Sequence, residues 1–237
     1  MNTNDEKRIY VGTSGYSYPE WKKIFYPADL APKNYLHFYA DRFPTTEINN
    51  TFYRFPSEST AASWKQQVPK GFRFSVKLTQ KITHQKKLAD VAEEMEWFQK
   101  GIGPLREKIA AVLVQLPPYF QKDLGVLDDF ITRYGASLPL AFEFRHASWR
   151  ASDVYQLLRD RKAVLVQAET EETPAVRETS GSFVYVRLRK EQYQAGELEN
   201  WADWLLEQPK TCFVYMKHDQ QAPVLASRFL DTLQAVA

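Results

Sequence analysis

The chain has 237 residues, room for one large α/β domain or two small ones. Its 44% hydrophobic and 25% charged residues are the composition of an ordinary globular protein, with core enough to need no metal or disulfide staple. The net charge of +2 is too small to imply bulk attraction to nucleic acid or membrane, and the single cysteine, Cys212, excludes an intramolecular disulfide and a cysteine-based zinc site. Residues Met1 to Arg8 are polar, with no apolar signal core behind them. No run approaches the ~18 apolar residues of a membrane span. These features predict a cytoplasmic protein with a flexible N-terminus over 1–8, a single domain over 9–237 and no membrane partner.

Ile9 to Gly15 reads as a short strand entering a glycine turn, followed by an aromatic loop from Tyr16 to Pro27. Lys33 to Arg42 has near-helical spacing, and Pro44 stops it. Thr46 to Phe52 reads as a second strand, and Ser57 as the N-cap of a helix running to Gln67. Phe72 to Leu78 alternates without a break as the third strand, and Leu88 to Lys100 is helical. Ile109 to Leu116 is a nearly continuous apolar run, the pattern of a strand covered on both faces. Leu124 to Tyr134 follows as a helix, with Gly135 at its C-terminus.

Leu140 to Arg145 is the fifth strand, and Ser152 is expected to cap a helix to Asp160. Ala163 to Ala168 is the sixth strand, Thr170 to Gly181 has no clear period, and Phe183 to Arg189 alternates as the seventh. Glu197 to Glu207 is helical, Cys212 to Met216 is the eighth strand, and Val224 to Val236 a final helix. Strands alternating with helical stretches predict an α/β fold, a (β/α)8 TIM-like barrel with parallel strands. The turn Gly12-Thr13-Ser14-Gly15 lacks dinucleotide spacing, so no cofactor is predicted.

Strand parity then locates a site. In a barrel the outward residues meet helices and the inward ones meet each other. Outward positions here are apolar throughout: Phe72, Phe74, Val76; Val112, Val114, Leu116; Phe142, Phe144; Val184, Val186, Leu188. Inward positions turn polar late in each strand, at the end where such barrels carry their sites. They are Glu47 and Asn49, Lys77, Gln115, Glu143 and Arg145, and Arg187, with Arg189 beyond. Such a set is either an interior ion-pair network or a ligand site. The surplus of cations over carboxylates favours an anionic ligand, because buried charge is costly unless paired.

Glu47 and Glu143 are candidates for proton transfer, one of them with a raised pKa, and His146 and Lys77 are further catalytic candidates. A Schiff-base role for Lys77 is a minor alternative. Asn49, Gln115, Arg145 and Arg187, with Tyr16 from the aromatic loop and Trp149, are the candidate substrate-binding residues. Arg187, Arg189, Lys190 and Lys217 form a late basic group, either a phosphate clamp or a solvated rim. No HxH or HExxH spacing occurs, so no metal is predicted; a divalent site would have to combine Glu47, Glu143, Glu169 and His218. A Ser-His-acid triad from Ser14 or Ser148 lacks the GxSxG elbow.

Several motifs together are similar to the YecE-like family, the domain of unknown function numbered seventy-two. They are Gly12-Thr13-Ser14-Gly15-Tyr16 with Trp21 and Phe25-Tyr26-Pro27, Glu47 to Tyr53, Phe74-Ser75-Val76-Lys77, Gln115-Leu116-Pro117-Pro118, Glu143-Phe144-Arg145-His146 with Ser148-Trp149, and Tyr185-Val186-Arg187. The resemblance runs over about residues 9 to 230. It implies a TIM-like barrel and no particular activity. The chain departs from that family's pattern at Leu188-Arg189-Lys190 and Lys217-His218-Asp219, both of which add cationic character. The resulting expectation is a barrel protein binding a small anionic molecule, phosphorylated or sugar-like, as a metal-independent hydrolase, lyase or isomerase. A nucleic-acid-processing or non-catalytic anion binder is the less favoured alternative, and a purely structural network the third.

Overall fold

Eight parallel strands pair in sequence order and close, β1 meeting β8 as well as β2. The computed structural model describes residues 8–217 and 220–236. Residues 1–7 of the expected flexible N-terminus, and His218 and Asp219, lie outside the described residues. The strands are β1 Ile9–Ser14, β2 Thr45–Ile48, β3 Arg73–Lys77, β4 Ile109–Leu116, β5 Leu140–Phe144, β6 Val164–Glu169, β7 Val184–Leu188 and β8 Cys212–Met216. The helices between them are α1 Tyr35–Ala40, α2 Glu58–Gln66, α3 Ala92–Ile102, α4 Leu124–Tyr134, α5 Ser152–Asp160, α6 Ala195–Glu207 and α7 Ala222–Val236. The expected (β/α)8 barrel is therefore the fold. The crossover from β6 to β7 contains no helix, in keeping with the polar, aperiodic sequence there.

Side chains of the two parities go to two separate clusters. Phe74, Val76, Val112, Val114, Phe142 and Val186 are fully buried in the outer core, between the barrel and its helices. Each such side chain contributes roughly 1.5–3 kcal/mol by leaving water. The other parity fills the barrel with a separate cluster that includes Tyr10, Leu113, Val164, Phe183, Tyr185, Phe213 and Tyr215. The helices start where the chain supplies caps. Ser57 accepts the Thr60 amide at 3.2 Å, and Asp123 accepts that of Val126 at 3.0 Å. Ser152 is not a cap as expected; it is the first helical residue, and extended Ala151 precedes it.

Three local differences matter for the site. β2 ends at Ile48, and Asn50–Phe52 forms a 3-10 turn rather than continuing the strand. The Thr51 hydroxyl pins that turn to the end of β3 by donating to the Lys77 carbonyl at 2.7 Å. A π-helical turn at Lys81–Gln85, with no signature in the sequence pattern, brings His84 against Phe52. β5 ends at Phe144, so Arg145 and His146 stand at its mouth rather than in it. Among the described residues no helix is long and apolar enough to cross a membrane.

Candidate functional site

The barrel interior becomes more polar from bottom to top. The rings of Tyr10 and Phe213 stack at 5.0 Å, with Phe183 edge-on to Phe213. Above them the Tyr215 hydroxyl bonds Ser75 at 2.7 Å and Thr45 at 2.9 Å, using the first polar groups of β3 and β2. Above that lie Glu47 and Glu143, at 0% and 1% exposure, with Arg187 between them. One Arg187 nitrogen donates to Glu47 Oε1 at 2.7 Å and the other to Glu143 Oε2 at 2.5 Å. Arg187 Nε is buried without an acceptor among the described residues.

The carboxylates have further donors. Tyr185 donates to Glu47 Oε2 at 2.7 Å and Asn49 to Glu47 Oε1 at 2.9 Å. Glu143 Oε1 accepts from Gln115 at 2.9 Å and pairs with Arg145 at 2.6 Å. Burial alone would raise both carboxyl pKa values. For Glu47 the Arg187 charge and the Tyr185 and Asn49 hydrogen bonds outweigh it, and the pKa falls. For Glu143 the charges of Arg187, Arg145 and Arg189 do so, holding it at about 2. The expectation of one raised carboxyl is overturned, since neither glutamate lacks a cation.

A cavity of about 400 Å³ opens above this layer. Its walls are Tyr18, Asn49, Asn50, Phe52, Tyr53, Lys77, Gln115, Arg145, Arg187 and Arg189, so four cations face it and no carboxylate does. Lys77 donates to Gln115 Oε1 at 2.9 Å and lies 4.1 Å from the centre of the Phe52 ring. Burial and the Arg187 charge bring its pKa down to about 8, against the partial opposition of Glu47 and Glu143. Arg189 has no carboxylate within 4.0 Å among the described residues; burial, and then Arg187, lower its pKa. Arg145 and Arg189 also border a second recess of about 390 Å³, lined as well by Glu143, Arg150, Glu171, Glu172 and Lys217.

Glu47, Asn49, Lys77, Gln115, Glu143, Arg145 and Arg187 thus form one connected group. Tyr16 borders an adjoining recess of about 160 Å³ beside Asn49, and Tyr26 donates to its carbonyl. Trp149 is not brought to the cavity. It is fully buried behind Phe144, stacked at 4.7 Å, with its indole donating to the Phe120 carbonyl at 2.7 Å. His146 closes the short turn after β5: Nδ1 accepts the Ser148 amide at 3.1 Å and meets the Ser148 hydroxyl at 2.8 Å. That bonding puts its proton on Nε2. No hydrogen bond links His146 to Glu143 among the described residues, so the triad is not assembled. Glu169 turns to Trp201, 3.0 Å away, and to Lys190, which also pairs with Glu197. Lys190 is thereby drawn from the basic group, and His218 lies outside the described residues.

The cavity also uses Asn50 and Phe52, which were not named as candidates, along with Tyr18 of the aromatic loop, Tyr53, and Arg189 of the late basic group. Arg189 had a signal, being inward by parity with Arg187. Tyr18 is delivered by the loop after β1. Gly15 there has φ +97°, and a Cβ on it would meet the Tyr18 hydroxyl at 2.3 Å, so glycine lets Tyr18 fold back and donate to the Ser14 carbonyl.

A family model described as "Protein of unknown function DUF72" matches residues 10–237. The UPF0759 protein YunF of Bacillus subtilis is 30% identical over 156 residues, covering 62% of this chain and 54% of that protein, so the chain spans about half the length of this curated relative. A crystal structure of a DUF72 family protein from Thermotoga maritima is 28% identical, with a TM-score of 0.84 over 96% of this chain and 99% of that one. A second DUF72 family structure, from Enterococcus faecalis, is 20% identical with a TM-score of 0.77 over 98% of each chain, a likeness of fold alone.

Proposed function

The chain belongs to the DUF72 family, described as protein of unknown function, and from that premise we propose that its barrel mouth binds a small anionic molecule, phosphorylated or sugar-like, as the substrate of a metal-independent enzyme. The observation that carries the reading is the cavity wall, with four cations and no carboxylate. The two carboxylates below each already have three donors, so the surplus positive charge faces the open space. Arg145, Arg189 and Arg187 would hold the anion and stabilise charge developing on it. Phe52, Tyr18 and Tyr53 would cover an apolar or ring-shaped portion. Glu47 and Glu143 are ionised at neutral pH and would orient the cations, leaving Lys77 as the better proton carrier, since its pKa lies near working pH.

The test is a calorimetric and thermal-shift titration with phosphate, sulfate, glycolate and sugar phosphates against uncharged analogues. Anions should raise the melting temperature, with about 2.7 kcal/mol of stabilisation at a hundredfold excess over Kd. Arg189→Ala should remove about half of that gain. Equal shifts from anions and from ionic-strength controls would remove the proposal. A nucleic-acid-processing role is a second reading, favoured by the rim residues Tyr53 and Tyr119, which are 75% and 60% exposed. Aromatic platforms at a cationic groove suit stacked bases. Affinity falling steeply with salt would choose that reading over a compact anion.

A further inference from the structure

We infer that Lys77 is a covalent amine centre, whose Nζ forms an imine with an aldehyde or ketone bearing an anionic group held by the mouth arginines. The inference rests on the anion-binding reading and adds a reaction type to it. Three features of the position carry it. First, Lys77 is the last residue of β3, faces inward and borders the cavity, so its nitrogen is open to a bound molecule. Second, its single hydrogen bond among the described residues goes to a neutral acceptor, Gln115 Oε1. The Gln115 amide is pinned by its own donation to Glu143, so its oxygen stays turned to Lys77. An amine can still donate that bond, though less strongly than an ammonium, and it keeps a lone pair for the cavity.

Third, the nearby carboxylates that would normally fix a lysine as an ammonium are already occupied by Arg187 and Arg145. The contrast with other lysines of the chain is direct: Lys81 and Lys86 share Glu94 at 3.0 and 2.9 Å, and Lys122 holds Asp153 at 2.7 Å. Partly out of water, and then beside the Arg187 guanidinium, the Lys77 pKa comes down to about 8. Roughly a quarter of such groups are free amine at pH 7.5, against about one in a thousand for an ordinary lysine.

The step balances without an added reactant. The amine lone pair attacks the carbonyl carbon, a C–N bond forms as the C=O π bond breaks, and the oxygen takes a proton from the attacking nitrogen. The carbinolamine hydroxyl takes a second proton from solvent and leaves as water with its C–O bonding pair, while the nitrogen lone pair closes the C=N bond, giving an iminium. Its positive charge lies over the Phe52 face, 4.1 Å from the present ammonium position, and beside the substrate's own anion. An iminium withdraws electrons from the adjacent carbon, so proton removal or carbon–carbon cleavage at that carbon is the chemistry it enables.

The test uses the full chain with glyoxylate and sodium borohydride at pH 7.5, read by intact mass and peptide mapping. Glycolate, which has the charge but no carbonyl, reports non-covalent binding in parallel. The expected result is one adduct per chain on Lys77, heavier by the mass of glyoxylic acid less one oxygen atom. It should form at least tenfold faster than the mean of the other lysines, with a rate that levels off above about pH 8. Lys77→Arg, which keeps the cation, and Lys77→Met should both lose it. Labelling of Lys77 no faster than of surface lysines, with glycolate still bound and Arg189→Ala still weakening it, overturns the imine and leaves the anion site standing. Loss of glycolate binding as well removes both readings.

Discussion

Two layers of charge meet at the mouth of the barrel, and they follow opposite rules. In the lower layer Glu47 and Glu143 are buried on either side of Arg187, which also meets the cavity, and each carboxylate oxygen has a donor between 2.5 and 2.9 Å. In the upper layer Lys77 and Arg189 face a cavity and have no carboxylate within 4.0 Å among the described residues, while Arg145 shares one that Arg187 already holds. Buried charges persist only when paired, and in the lower layer the ion pairs are made within the protein, with Arg187 Nε alone left without an acceptor among the described residues. The upper layer is in electrostatic deficit, which an incoming anion would relieve. Under the proposed function, structural network and ligand site are not rival accounts of one cluster; they would apply at different depths.

The comparison breaks first if the lower layer is not structural. Arg187→Met strands two buried carboxylates at once and should cost about 3–5 kcal/mol of unfolding free energy, measured by urea denaturation. A loss below about 1 kcal/mol would mean that the carboxylates can re-pair or reach water, and the distinction of layers would fail.

Acid is the next probe of that layer. Glu143 is held at about 2 and Glu47 is also lowered. A folded pKa below the unfolded value stabilises the protein above the unfolded value and loses that contribution as pH falls through the folded one. Stability should therefore decline between about pH 5 and pH 2, with Glu143 accounting for about 2–3 kcal/mol of the fall. In Glu143→Gln the decline should be shallower by that amount, a difference read from urea midpoints across the pH range.

Alternation made the inward and outward sets readable because each strand has one face on helices and one in the barrel. Height within the barrel was not readable. Nothing in Glu143-Phe144-Arg145 says that Glu143 sits sealed in the lower layer and Arg145 at the cavity, because that follows from β5 ending at Phe144. Trp149 illustrates another limit. It is four residues from Arg145 in sequence, yet a short turn carries it behind the sheet to stack on Phe144. Phe52 is the reverse case. It looked like strand, and a hydroxyl bond from Thr51 to a neighbouring strand end sets its ring beside Lys77. Long-range hydrogen bonds of that kind leave no period in a sequence.

The upper layer gives smaller and differently signed effects. Arg189→Ala should weaken phosphate binding about tenfold by titration, a change of about 1.4 kcal/mol, while stability without ligand moves by no more than about 0.5 kcal/mol. A larger loss of stability would assign Arg189 to the lower layer's structural task.

Lys77→Met is the finest test, because the two layers predict opposite signs. A lysine paired with a buried carboxylate has a raised pKa, and losing it destabilises the fold. Lys77 has a lowered one, about 8 against an ordinary value near 10.4. Between those two pH values the unfolded chain binds more protons than the folded one, so stability rises with pH across that window. Below pH 8 the whole penalty of holding the ammonium in the mouth is present. Methionine keeps the apolar stem and drops the charge. Lys77 is partly exposed, so water screens much of that penalty, and the variant should be more stable than the parent by about 1 kcal/mol or less at pH 7. The gap should close by about pH 10.5, and urea midpoints at pH 7 and 10 measure it. Saturating phosphate should narrow the gap at pH 7 as well, because an anion in the cavity supplies the negative charge that Lys77 lacks. If the substitution instead destabilises the fold at pH 7 and phosphate leaves that difference unchanged, Lys77 belongs to the sealed network and the mouth has no unmet charge there.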